Sequence, residues 1–140
     1  MAFTQNMEKA ARRHLRAAQV LYGHVGPGQQ PGCMAVAGYL FGLAGELAVK
    51  EIMRDSGILP TSATYRREEA FFAHFPILKT LLATATGRRA GELRKLSEDP
   101  RLFQNWDVAM RYAPTTEIKA AWIAAWKDSA EKLVDRMAAA

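Results

Sequence analysis

Apolar residues recur every three or four positions along almost the whole chain, the spacing that places side chains on one face of an α-helix. No stretch alternates apolar and polar residues for long enough to predict a β-strand. The sequence therefore predicts an all-α protein, an up-and-down bundle of four main helices with one or two short extra helices. Its 140 residues, without an internal repeat, are expected to form a single helical domain over residues 1–140.

The predicted helices follow from this spacing and from the residues that end helices. Long helices are expected over about residues 4–22 and 33–55, because Gly23 and Ser56-Gly57 follow them. Residues 23–32, with four glycines and two prolines, are expected to form a loop. Shorter helices are predicted over about residues 65–74, 76–86, 89–97 and 102–110. The last helix is expected to begin at Thr115 or Thr116, with an apolar face of Ile118, Trp122, Ala125, Ser129, Leu133 and Met137.

The second long helix is the most apolar one and is expected to be central. Its uncharged run, CMAVAGYLFGLAG, covers residues 33–45 and ends at Glu46. A membrane span needs about 20 residues, so we expect no membrane insertion. Gly38, Gly42 and Gly45 lie at i, i+4 and i+7, which predicts that another helix approaches this face closely inside a folded core.

The chain is basic, with 19 Lys and Arg against 14 Asp and Glu. A net charge of +5 favours RNA, a nucleotide or an acidic partner protein as ligand over a basic one. Lys9, Arg12, Arg13 and Arg16 form a basic stripe on one face of the first helix. Four cations at this spacing either contact phosphates or form a solvated helix face. No targeting signal precedes this helix, which predicts a cytoplasmic location.

Residues typical of metal or nucleophilic sites are scattered. His14, His24 and His74 lie in different segments, and no histidine or cysteine pair has metal-ligand spacing. Cys33 is the single cysteine, so it cannot form an internal disulfide. The sequence therefore predicts no metal and no cofactor.

Two polar pairs remain as candidates for chemistry. Glu46 and Lys50 lie one turn apart on the apolar second helix, where partial burial requires a partner such as Arg111 or His74. Arg67 and His74 lie two turns apart if they share a helix. Such a pair suits RNA cleavage, because the histidine can transfer a proton and the arginine can stabilise the phosphorane charge.

Three segments of the chain resemble the HEPN domain, a helical family named for nucleotide binding in eukaryotes and prokaryotes. Residues 35–53 read AVAGYLFGLAGELAVKEIM, similar to the family's small-residue helix with Glu and Lys one turn apart. Residues 74–81 read HFPILKTL, which resembles its H-x-x-x-L-x-x-L helix start. Residues 106–114 read WDVAMRYAP, which resembles its aromatic-x4-Arg-Tyr segment.

The resemblance implies a helical bundle, often a homodimer, whose cleft binds nucleotide or cleaves RNA. The ribonuclease members carry Arg-x4-6-His, usually with a polar residue directly after the Arg, but no histidine follows Arg111. The pair Arg67 and His74 has Glu68 after the Arg and precedes the place where the resemblance puts the motif. The favoured hypothesis is a non-catalytic homodimer that binds nucleotide, RNA or a partner protein through Glu46, Lys50, His74, Arg111 and Tyr112. One alternative is a metal-independent ribonuclease that uses Arg67 and His74. The other is a scaffold protein that meets another chain through the basic stripe, Trp122 and Trp126.

Overall fold

The computed structural model describes residues 4–23, 31–58 and 71–138, and none of these residues lies in a β-strand. Its α-helices are α1 (Met7–Gly23), α2 (Pro31–Asp55), α3 (Ile77–Leu81), α4 (Ala90–Glu98) and α5 (Ala120–Met137). Short 3-10 turns cover Leu82–Thr84, Val108–Tyr112 and Thr115–Glu117. The predicted all-α bundle of four main helices with short additions is confirmed.

Helix α2 is the centre of the bundle and packs against both α1 and α5. Its buried side towards α1 is built from small side chains around Phe41, whose ring meets Tyr22 edge-on at 5.9 Å. The helix is long and apolar enough to cross a membrane by length and composition, and 56% of its most apolar 18-residue stretch is buried inside the protein. Core helices of folded domains share this length and composition.

The glycine face of α2 is covered by aromatic rings. A Cβ built on Gly38 would lie 3.0 Å from the Trp126 ring on α5, which confirms a close helix approach at this position. A Cβ on Gly42 would overlap the Trp106 indole, and one on Gly45 would overlap the Phe103 ring. Here the prediction of a neighbouring helix is wrong, because both rings come from the segment between α4 and α5.

That segment also lacks the helix predicted over residues 102–110. Phe103 and Asn105 have φ of 50° and 70°, in the left-handed region, which interrupts a right-handed helix. Two indoles fix the turn: Trp106 Nε1 donates to Gly38 O at 3.1 Å, and Trp126 Nε1 donates to Gln104 O at 2.9 Å. Of the predicted helix, only residues 108–110 are helical, as part of the 3-10 turn Val108–Tyr112.

The last helix starts later than predicted. Thr115–Glu117 forms a 3-10 turn, and Ile118 and Lys119 are extended, so neither threonine caps α5. Of the predicted apolar face, Leu133 and Met137 are fully buried, Ile118, Trp122 and Ser129 are partly buried, and Ala125 is exposed. The buried face of α5 consists of Ile123, Trp126, Ala130, Leu133, Val134 and Met137.

The remaining connections differ in detail from the predictions. The helix predicted over residues 76–86 is α3 followed by the 3-10 turn Leu82–Thr84. Residues 71–74 form a turn and an irregular stretch instead of the end of a helix, and the buried Glu46 carboxylate, described below, holds the His74 side chain and the Phe75 backbone N–H that follow. Of the loop predicted over residues 23–32, Gly23 ends α1 and residues 31–32 begin α2, so the prediction is wrong at both ends. Its residues 24–30, and residues 65–70 of a predicted helix, lie outside the described residues.

One buried arginine joins the ends of three helices. Arg89, directly before α4, donates to both carboxylate oxygens of Glu92 at 2.9 Å. It also donates to Asp55 at the end of α2 and to the carbonyls of Arg136 and Met137 at the end of α5. These bonds satisfy carbonyls that a helix terminus leaves without intrahelical donors.

Candidate functional site

The Glu46 carboxylate is the buried residue around which the site is built. Its side chain is 3% exposed and faces the segment that precedes α3. His74 Nδ1 lies 2.8 Å from Glu46 Oε1, and the Phe75 backbone N–H donates to Oε2 at 2.8 Å. Both carboxylate oxygens therefore have partners, and Glu46 fixes the position of the His74 ring. Of the two partners predicted for Glu46, His74 is confirmed.

Burial and hydrogen bonding act on Glu46 in opposite directions. Removal of the carboxylate from water raises its pKa, whereas His74, the Phe75 N–H and the Lys50 charge lower it. Burial has the larger effect, so the pKa of Glu46 lies above its ordinary value. The ionised form of Glu46 is therefore stabilised by His74, the Phe75 N–H and, least of all, the charge of Lys50.

Lys50 is buried beside this carboxylate without a close anion. The residue is 6% exposed, and no carboxylate of the described residues lies within 4 Å of its Nζ. Burial lowers the pKa of Lys50, and the charge of Glu46 opposes this only in part. Lys50 does not line the groove described next, although the sequence placed it among the binding residues.

His74 and Arg111 line one groove of about 460 Å³. The segment of Phe72 to Ile77 forms one wall, and Asp107, Val108 and Arg111 form the other. The His74 side chain is 47% exposed, and because Nδ1 is held by Glu46, Nε2 is the ring nitrogen left for a ligand. Asp107 Oδ1 is occupied by the Ala109 N–H at 2.8 Å.

Arg111 is held by tyrosines and not by Glu46. It is exposed, donates to the Tyr39 hydroxyl at 3.4 Å, and lies 4.9 Å from the centre of the Tyr112 ring. The hydrogen bond to Tyr39, together with the interaction with Tyr112, raises the pKa of Arg111, so the guanidinium stays fully charged. The predicted pairing of Arg111 with Glu46 is wrong, because Glu46 is buried against His74 and Phe75 whereas the guanidinium lies at the surface.

Tyr39 and Asp107 are site residues that sequence reasoning missed. The Tyr39 ring stacks on Trp106 with a centroid distance of 5.7 Å and an interplanar angle of 9°, which fixes its hydroxyl beside Arg111. A signal for Tyr39 was available, because it precedes Glu46 by seven residues and thus shares a helix face with it. The site brings together Glu46, His74 and Arg111, with Tyr112 beside Arg111, whereas Arg67 lies outside the described residues.

The other candidate features lie apart from the groove. Lys9, Arg12, Arg13 and Arg16 are all exposed on α1, where Arg12 pairs with Glu8 at 3.4 Å, and none of them lines the groove. Trp126 is buried and bonded to Gln104, so it is not available to a partner chain, and Trp122 is partly buried. In the described parts of the chain, no three His, Cys, Asp or Glu residues are placed to hold a metal ion.

Comparison with known proteins identifies no relative of this chain: no family model matches it, and no curated protein or solved structure is significantly similar. Its function is therefore argued from the groove.

Proposed function

We propose that the protein is a non-catalytic binding module that holds the phosphate of a nucleotide or of RNA in the groove between His74 and Arg111. The observation that carries this proposal is that both side chains line one groove and that Glu46 is buried behind His74. When both ring nitrogens carry a proton, an imidazole held at Nδ1 by a carboxylate points its Nε2–H donor in a fixed direction, which suits recognition of a phosphate oxygen.

The charge of Arg111 supports an anionic ligand. Among the described residues its partners are the Tyr39 hydroxyl and the Tyr112 ring, and no carboxylate forms an ion pair with it. A guanidinium with free donors can form two parallel hydrogen bonds to a phosphate. Tyr112 is 78% exposed, so its ring is a surface on which a nucleotide base can stack.

Calorimetric titration with adenosine 5′-phosphate and with a short single-stranded RNA tests the proposal. We expect Arg111→Ala to weaken binding of either ligand about tenfold to a hundredfold, the loss typical of a charge-assisted hydrogen bond. Arg101→Ala, which removes an exposed arginine outside the groove, is the control and should bind like the wild type. Equal losses in both variants, or no binding by the wild type, would exclude the groove as the site.

The Glu46–His74 pair favours a second candidate, metal-independent RNA cleavage. A carboxylate that orients an imidazole is the arrangement by which proteins prepare a histidine to transfer protons. His74 would act at the 2′-hydroxyl or the leaving oxygen, and Arg111 would stabilise the phosphorane charge in the role the sequence assigned to Arg67. This candidate predicts RNA cleavage in the presence of EDTA that His74→Ala abolishes without changing the circular dichroism spectrum.

The homodimer expected from the family resemblance is also retained as a proposal. Val36, Leu40, Leu43 and Leu47 follow one another at helical spacing on α2, and none of them is fully buried. Val36 is 51% exposed. A second copy that packed on this stripe would remove apolar surface from water.

A further inference from the structure

The groove at His74 and Arg111 adjoins a second, smaller crevice of about 270 Å³. Phe75, Pro76 and Asp107 line both cavities, so the two are adjoining parts of one trough. Lys79 of α3 lines the crevice but not the groove. The trough therefore has a cationic side chain in each of its two parts, with an apolar floor at Phe75 and Pro76 between them.

Lys79 has donors left for a ligand. Its Nζ donates to the Leu102 carbonyl at 3.2 Å, and an ammonium group carries three hydrogens. No carboxylate of the described residues lies within ion-pair distance of Lys79, and the Asp99 charge acts on it only from farther away. Partial burial lowers the pKa of Lys79, and the charge of Asp99 offsets this only in part. A bound phosphate would supply a closer anion.

One wall of the crevice is held in place before any ligand binds. Gln104 and Asn105 form this wall, and their exposed side-chain amides offer further donors. The Gln104 carbonyl is bonded to the Trp126 indole, and the flanking Trp106 indole is bonded to Gly38. A site whose walls are already fixed loses little conformational entropy on binding.

The charges in the trough indicate where anionic groups of a ligand bind. Asp107 is the acidic residue shared by both cavities, and its carboxylate repels a phosphate from the middle of the trough. Phosphates are therefore favoured at the two ends, with an uncharged sugar or base between them. We infer that Lys79 forms a second phosphate subsite, so that the ligand is a phosphodiester chain of two or more nucleotides. This inference rests on the proposed function of the groove.

Titration of the intact protein with adenosine 5′-phosphate and with the 5′-phosphorylated dinucleotide pApA, in ribo and deoxyribo forms, tests the second subsite. We expect the wild type to bind the dinucleotide about tenfold more tightly than the mononucleotide. Lys79→Gln keeps a donor for the Leu102 carbonyl but removes the charge, and it should abolish this tenfold gain while affinity for the mononucleotide changes less than about twofold. Lys79→Arg should retain the gain.

Lys95→Gln, which removes an exposed charge from α4 outside the trough, is the matched control and should keep the full gain. A gain in either the ribo or the deoxyribo form supports the subsite, and the form with the larger gain identifies the polymer. Equal affinity of the wild type for mononucleotide and dinucleotide, or an undiminished gain in Lys79→Gln, would overturn the second subsite. Neither result would contradict phosphate binding at His74 and Arg111. Absence of mononucleotide binding by the wild type would count against the proposed function itself.

Discussion

Lys50 shows how a single residue can lower the stability of the fold. A lysine that is 6% exposed has lost most of its hydration, and among the described residues no hydrogen-bond acceptor or close carboxylate replaces the water. The nearby Glu46 charge only partly offsets this loss. The native state is therefore expected to be more stable when an uncharged side chain of similar length occupies this position.

Lys50→Met is expected to raise the free energy of unfolding by roughly 1 to 3 kcal/mol at neutral pH. The pKa of Lys50 is lowered in the native state, so wild-type stability rises with pH between that lowered value and the ordinary 10.5. The variant lacks this rise, and its advantage should shrink as the pH approaches 10.5. The Lys50 charge is the smallest of the influences that lower the pKa of Glu46, so removing it should change the pKa of that carboxyl group little.

Denaturant unfolding of both proteins at neutral pH and at about pH 9.5 measures this difference directly. Lys95→Met, at an exposed position of α4, serves as control and should change stability by less than about 0.5 kcal/mol. A Lys50→Met protein that is less stable than the wild type at neutral pH would show that the amine has a favourable partner.

At this scale the sequence identified the charge but not all of its neighbours. A glutamate within an apolar helix indicates burial and the need for a partner, and His74 is that partner. The predicted position of Arg111 was wrong. Spacing along the chain does not show that Tyr39 stacks on Trp106 and places its hydroxyl within hydrogen-bond distance of Arg111. The partner of a buried charge depends on which segments the fold brings together.

Among the secondary-structure elements, α2 depends most on residues that lack side chains. Its glycines admit Trp106 and Phe103, which come from a turn with left-handed residues. The i, i+4, i+7 spacing of Gly38, Gly42 and Gly45 predicts a close contact, and the contact exists. The identity of the neighbour was not predictable, because the backbone of residues 102–106 is fixed by two long-range indole hydrogen bonds and not by local sequence preference.

Gly42→Ala is expected to destabilise the protein by about 1 to 3 kcal/mol, because the added methyl group overlaps the buried Trp106 indole. Gly91→Ala in α4 is the matched control, since a Cβ there meets nothing within 4 Å. The control should be neutral or more stable by up to about 1 kcal/mol, the helix preference of alanine over glycine. Thermal melts of the two variants give the comparison, and similar melting temperatures would contradict close packing at Gly42.

For the whole molecule, the sequence predicted the all-α class and the boundaries of α1 and α2 to within a few residues, because strong periodicity and helix-ending residues mark them. It did not predict the segment between α4 and α5, whose conformation depends on tertiary contacts. The groove combines both kinds of region: Glu46 comes from a predictable helix, whereas His74 and Arg111 come from connecting segments. The sequence therefore indicated which ionisable residues line or support the groove, but not how the connecting segments bring them together.

The proposed homodimer belongs to this same scale, and Val36 is the residue with which to test it. An arginine in the middle of an apolar contact would be buried without a partner, so Val36→Arg is expected to convert a dimer into a monomer. Val20→Arg changes an exposed valine on α1 and leaves the α2 stripe intact, so it should remain dimeric. Sedimentation velocity of the three proteins at about 50 µM distinguishes the two states. A monomeric wild type, or a dimer that survives Val36→Arg, would show that this stripe is not where two copies meet.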